Sequence, residues 1–280
     1  MTAAVGDEQV VVAILASQQT HGKLGAVIGH VIEAGARAAS LDDRTVLVGP
    51  YDPCGECDVC RRGGAAVCPL RVGRDALGDR VIAAARYCVP LGEGLELPVP
   101  AGAAVAGDVA LAYTLYARTG IAPRDPVVIV GASPVARFLV EILLAKGCTP
   151  IVIADPAYAV WCEWLRGKGV AVAGDREAVA VAIAAQGITG RAARVIAAAP
   201  DSAAAAAAFT GPRSTLTVLG PVASLPGELV AREVSVIPVV GMHPDLVVEV
   251  AAMCIKGEID LAAGTALTEN TEMRAVVVKR

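Results

Sequence analysis

Four cysteines fall within fifteen residues, Cys54, Cys57, Cys60 and Cys68, in the segment PYDPCGECDVCRRGGAAVCP. The spacing C-x2-C-x2-C-x7-C lets four thiolates close a tetrahedral site around one ion and leaves no open coordination position, the form of a structural rather than a catalytic zinc. Gly55, Gly63 and Gly64 allow the backbone to wrap an ion, and Arg61 and Arg62 can offset part of the double negative charge of a tetrathiolate core. An iron–sulfur cluster also takes four cysteines, but at other spacings and in other contexts. The remaining cysteines, Cys88, Cys148, Cys162 and Cys254, stand in apolar surroundings and read as core residues.

A second constellation follows the apolar run Val127–Val130: Gly131-Ala132-Ser133-Pro134-Val135-Ala136. A strand, a glycine turn and a helix opening make a pyrophosphate cradle when the middle position is glycine and the first helical turn offers N–H groups. Here Gly131 and Ala136 suit the first and third places. Ser133 adds a side chain at the position of close approach, and Pro134 removes an N–H. Asp155, 24 residues after Gly131, stands where an acid would bond a ribose 2′-hydroxyl, or alternatively caps the next helix, with Pro156 at its first position. Gly131, Ser133, Ala136 and Asp155 are therefore the candidate cofactor-binding residues, and Asp155 in its ribose-binding role would disfavour the 2′-phosphate of NADP.

The elements needed to position these groups divide the chain in two. From Val127 onward, β-branched runs alternate with Ala-rich helical stretches. Strands are expected at Val127–Val130, Ile151–Ala154, Val170–Ala173, Arg194–Ala199, Thr215–Leu219 and Val234–Val239. Helices are expected at Val135–Lys146, Ala157–Lys168, Glu177–Gln186 and Ser202–Phe209. Six such runs with crossover helices make a doubly wound parallel sheet of the Rossmann kind. Before Asp108 the pattern is short strand-like runs at Val10–Leu15, Ala26–Glu33, Thr45–Val48 and Arg86–Val89, with no convincing helix, so that part reads as a β-rich domain. Leu91–Ala104 and Pro221–Gly227 read as irregular surface segments.

Composition agrees with an α/β fold. Hydrophobic residues are 55% of 280, much of that Ala and Val, while aromatics are 3%. That apolar content excludes a disordered chain, and the lack of an 18-residue uncharged apolar run argues against a membrane span. A net charge of −4 without a basic cluster speaks against nucleic acid as a partner. The first residues show no secretory signal, so the expected compartment is the cytoplasm.

The cysteine lobe, its place in a β-rich domain and the Rossmann region behind it resemble the zinc-containing alcohol dehydrogenase branch of the medium-chain dehydrogenase/reductase superfamily. The resemblance runs through VVVAILASQQTHGK, IGHVIEAG, CGECDVC, ALAYTLYARTG, VVIVGASPVARFLVEILLAKG and CIKGEIDL. It implies a GroES-like domain formed by residues 1–110 and 264–280, with the zinc lobe at 54–68, and a Rossmann domain at 111–263. The final run Arg274–Lys279 would return to the first domain. Laid on the family's pattern, the catalytic-zinc ligand positions are Thr20, Gly25, Ala26 and Ala110, none with an imidazole, thiolate or carboxylate. The family's N-terminal hairpin is missing, and the segment between Thr20 and Gly25 is shortened.

The polar groups left for catalysis are Thr20, His21, Lys23 and His30, a histidine serving as acid or base. The alternative for His21 is an exposed loop residue and for His30 a strand residue. His243, before Pro244 and Asp245, reads as the start of a helix. The expectations that follow are one structural zinc per chain and, if the protein is active, an NAD(H)-dependent oxidoreductase without catalytic zinc. Retention of Gly131 and Asp155 favours that reading. The Ser133-Pro134 loop favours a non-catalytic scaffold or partner subunit, or a non-redox enzyme acting on a small molecule in the interdomain cleft. The resemblance also implies a homodimer through the sixth Rossmann strand, Val234–Val240, interrupted by Pro238.

Overall fold

The computed structural model describes residues 5–20, 23–74, 77–92, 97–155, 158–188, 191–199, 202–220, 224, 226–261 and 276–278. The chain forms two compact units, one of residues 1–111, 242–257 and 272–280, the other of 112–241 and 258–271.

The first unit is built on a curled antiparallel sheet of the GroES-like kind. β1 (Gln9–Thr20) and β2 (Lys23–Ala34) form a long hairpin, and β3 (Thr45–Val48) pairs with β2. Valines alternate inward with period two, Val10 and Val12 on β1 and Val46 and Val48 on β3, all fully buried, and each contributes roughly 1.5 kcal/mol or more by burial. β4 (Tyr51–Asp52) leads into the cysteine segment, whose α1 (Asp58–Arg61) is a single turn, and β5 (Val72–Gly73) leaves it, paired with β4. Of the strand expected at Arg86–Val89, the first half lies in a 3-10 turn (Ala85–Tyr87) and the second in β7 (Cys88–Pro90) on β3; β6 (Arg80–Ala84) on β1, just before them, was not expected.

The stretch expected to be irregular up to Ala104 ends in a helix, α2 (Val99–Ala104). It tolerates Pro100 because a first-turn residue donates no intrahelical bond. It runs through a wide π turn (Val105–Val109) into α3 (Ala110–Thr119).

The second unit is a six-stranded parallel sheet. β8 (Val127–Val130) is followed by α4 (Pro134–Ala145), β9 (Ile151–Ile153) by α5 (Ala159–Gly167), and β10 (Ala171–Ala173) by α6 (Arg176–Ala185). β11 (Arg194–Ala197), α7 (Ala203–Ala207), β12 (Thr215–Leu219), α8 (Glu228–Ala231) and β13 (Ser235–Val239) complete it. The order β10-β9-β8-β11-β12-β13 is that of the doubly wound nucleotide-binding sheet, with the six runs read from sequence as its strands. β8 is buried along its whole length.

Against the sheet, α4 and α5 carry a buried aromatic and charged cluster. Trp161 and Trp164 stack at 5.1 Å, and the fully buried Arg137 lies over the rings of Phe138 and Trp164 while donating to Asp260 O at 2.6 Å. Lys168 pairs with the buried Glu141 at 3.0 Å.

After a 3-10 turn opened by His243, α9 (Val247–Ile255) packs on the π turn of the first unit. β14 (Val276–Val278) pairs antiparallel with β1. Among the described residues no helix is long and apolar enough to cross a membrane.

Candidate functional site

The cysteine segment is a lobe on a two-stranded stem. Asp52 ends β4 two residues before Cys54, and β5 closes the stem after Cys68. Inside the lobe the C-x2-C spacing matches one helical turn. Cys57 is the N-cap of α1, and its sulfur accepts the Cys60 N–H at 3.4 Å. Cys54 Sγ accepts from Cys57 N at 3.4 Å and Cys68 Sγ from Cys54 N at 3.5 Å. The Glu56 and Cys57 backbone N–H groups pull the Cys54 thiol down to about 6.

All four sulfurs lie within 4.8 Å of one another, with Cys54–Cys60 and Cys57–Cys68 at 3.9 Å and Cys54–Cys68 at 3.6 Å. A zinc–sulfur bond of about 2.3 Å implies a tetrahedral edge of about 3.8 Å, so the sulfurs fit zinc nearly as they stand. Among the described residues this is the one such group of three or more metal-binding side chains.

The lobe is held by arginines the sequence did not single out. Arg74 is buried; its Nη2 meets Asp52 Oδ1 at 2.5 Å and its Nε donates to Gly49 O at 2.6 Å. Arg86 Nη2 donates to Cys54 O at 2.6 Å and stacks on Tyr87. Gly55 is required here: its φ is +75°, and a Cβ would stand 2.9 Å from Tyr87 Oη. Arg61 and Arg62 are exposed, and Arg62 turns back to Asp58 O. Nothing in the spacing pointed to Asp52 and Arg74, because they meet across 22 residues.

At the β8–α4 turn, Gly131 has φ +103°, and a Cβ there would meet Ala199 Cβ at 2.6 Å. Ser133 is the N-cap of α4. Its Oγ accepts from Ala136 N at 3.0 Å and donates to Ala198 O at 2.5 Å. With Pro134 at the first helical position, two of the three first-turn donors available to a phosphate are withdrawn. Asp155 is exposed after β9; its carbonyl accepts from Tyr158 N at 2.9 Å. α5 starts later than expected, with Tyr158 as its N-cap.

Of the residues considered for catalysis, Thr20 and Lys23 face each other at the end of the β1–β2 hairpin, joined by His21 and Gly22 alone. His21 and the side chains of Thr20 and Lys23 lie outside the described residues. His30 does not join them. It is seven residues farther along β2, roughly 20 Å at a strand's rise, and bonds Asp43 at 2.9 Å. Two buried groups were missed instead: Gln18 Nε2 donates to Asp108 Oδ2 at 2.9 Å, linking β1 to the π turn. Neither a lone Gln nor a lone Asp in an apolar run announces such a pair.

The backbone fold matches solved dehydrogenases. A short chain alcohol dehydrogenase of Escherichia coli CFT073, complexed with NADH, superposes with a TM-score of 0.78 over 98% of this chain and 91% of that one at 14% identity. The fold is that of solved alcohol dehydrogenases. Cobalt- and zinc-bound thermostable alcohol dehydrogenase of Pyrobaculum aerophilum matches at 0.75 over 99% and 92%, with 17% identity. A zinc-binding dehydrogenase of Sinorhizobium meliloti 1021, bound to NADP, matches at 0.74 over 99% and 94%, with 19% identity. In sequence, D-arabitol-phosphate dehydrogenase of Enterococcus avium is 26% identical over 132 residues, 44% of this chain and 37% of that enzyme's length. No protein-family model matches the sequence.

Proposed function

We propose that the chain is an alcohol dehydrogenase-like protein with one structural zinc, held by Cys54, Cys57, Cys60 and Cys68, and that it works as an NAD(H)-dependent oxidoreductase without catalytic zinc. The near-tetrahedral spacing of the four sulfurs carries the reading. Zinc in a closed tetrathiolate site offers no position to substrate; it cross-links the lobe. At a second metal position, Thr20, Gly25, Ala26 and Ala110 offer no suitable donor, and Ala26 and Ala110 are buried.

The nucleotide part is supported by the Gly131 turn, by Asp155 beyond β9 and by the sheet order, and the E. coli and S. meliloti proteins hold NADH and NADP on this fold. In this reading the β8–α4 turn would hold a nicotinamide cofactor, which would supply hydride chemistry, and Asp155 would favour the unphosphorylated ribose. Without a Lewis acid to polarise a carbonyl, activated double bonds or quinones suit the site better than simple alcohols. A homodimer along β13 and a reducing cytoplasm, which keeps the thiols free for zinc, complete the proposal.

The Ser133 cap favours a second reading, a non-catalytic scaffold or a non-redox enzyme. Calorimetric titration decides between the two: heat on NAD addition with weaker NADP binding supports the first, and no heat from either at millimolar concentration establishes the second. Metal analysis should give about one zinc per chain. About two would overturn the loss of the catalytic ion, and unchanged zinc in Cys57→Ser would remove the lobe as the site.

A further inference from the structure

Among the described residues, β6 pairs with one strand, β1. The bonds from Ile14 N to Asp79 O and from Ala85 N to Glu8 O fix the alternation. Residues 79, 81, 83 and 85 turn their backbone groups to β1, and 80, 82 and 84 turn theirs to the other edge. An edge of this kind is a template for another strand unless it is covered.

Here it is covered position by position. Arg80 exchanges backbone bonds with Leu77 at 2.8 and 3.3 Å. Ile82 O accepts from Arg74 Nη1 at 3.2 Å, and Ala84 N donates to Asp52 Oδ2 at 2.9 Å. Arg74 and Asp52 are themselves a bidentate pair, 2.5 and 3.2 Å, with the arginine side chain 1% exposed. A donor and an acceptor locked side by side thus present to β6 what a neighbouring strand would. The same two residues flank the lobe, Asp52 at the end of β4 and Arg74 directly after β5.

We propose that the Asp52–Arg74 pair is both the positioning element of the metal lobe and the cap of the β6 edge, so that metal retention and edge closure are coupled. The metal half rests on the zinc reading above; the edge half does not. Coupling of this kind acts equally in both directions.

Two measurements test it: hydrogen exchange at the Ala84 amide and chelator-driven zinc release. Chelation is expected to speed Ala84 exchange about tenfold, with the β3 amides unchanged, and Arg74→Met to speed zinc release by about the same factor. In cobalt-loaded protein, Arg74→Met should also shift the thiolate-to-metal absorption band. Arg74→Lys, which keeps the charge but cannot fork between Ile82 and Asp52, should restore part of the retention.

If Arg74→Met does not fold, Asp52→Asn takes its place. It keeps an acceptor for Ala84 and should speed zinc release with a smaller effect on exchange. Unchanged Ala84 exchange after chelation, an equal rise across β3, or wild-type release rates in the folded variants would overturn the coupling. If the wild-type chain takes up no zinc, the zinc reading fails on its own, and Ala84 exchange in Arg74→Met against wild type still decides the edge half.

Discussion

A single hydroxyl governs how the β8–α4 turn can be used. Ser133 Oγ holds the Ala136 N–H that an anion would otherwise engage. Ser133→Gly should free that donor at a stability cost of only a few tenths of a kcal/mol, since glycine is itself a fair N-cap. NAD affinity is expected to rise about tenfold, or about 1.4 kcal/mol, in calorimetry; an unchanged affinity would mean that nucleotide does not engage this turn. The scattered cysteines predict a pH effect. All four are buried as expected, and burial pushes Cys88 and Cys254 from 9.0 up to about 12. Between these values the unfolded chain has lost the protons that the native state keeps. Stability is therefore full below pH 9 and falls as pH rises toward 12, by at most about 1.4 kcal/mol per pH unit for each thiol. Denaturant midpoints between pH 8 and 11 should show the slope, and Cys88→Ala with Cys254→Ala should flatten it.

The β1–β2 hairpin is closed by a very short connection. Thr20 pairs with Lys23, so two residues join strands of twelve residues each, and the buried Gln18–Asp108 bond ties β1 to the π turn just before Ala110. Asp108→Ala would leave the Gln18 amide buried without that partner, and a loss of about 1–3 kcal/mol is expected in chemical denaturation. A loss under 0.5 kcal/mol would show that the amide finds another partner. On the sheet of the second unit, β13 pairs with β12 on one side and with no other strand among the described residues, with Pro238 exposed. The proposed dimer along β13 predicts that Ile237→Glu sediments as a monomer at micromolar concentration, and a monomeric wild type would refute it. These elements differed in legibility for local reasons. The six parallel strands are runs of apolar β-branched residues and could be read directly. α2 was hidden by Pro98 and Pro100, which read as breakers although one precedes the helix and the other sits in its first turn. The π turn carries no periodicity of its own.

For the whole chain, the two-part architecture and the clustering of the cysteines were legible because both are written in local spacing: period-two valines, alternating strand and helix runs, and four cysteines within one loop. What escaped was long-range pairing. Asp52 with Arg74 and Gln18 with Asp108 join positions 22 and 90 residues apart, and each partner alone is an ordinary polar residue. The stacked indoles of α5 have a practical consequence. They are the chain's two tryptophans, and both belong to the second unit. Ultraviolet emission excited at the indole band therefore arises in the second unit, whereas the absorption of cobalt bound to the thiolates would arise in the first. One cobalt-loaded sample would thus carry two optical signals, one from each unit.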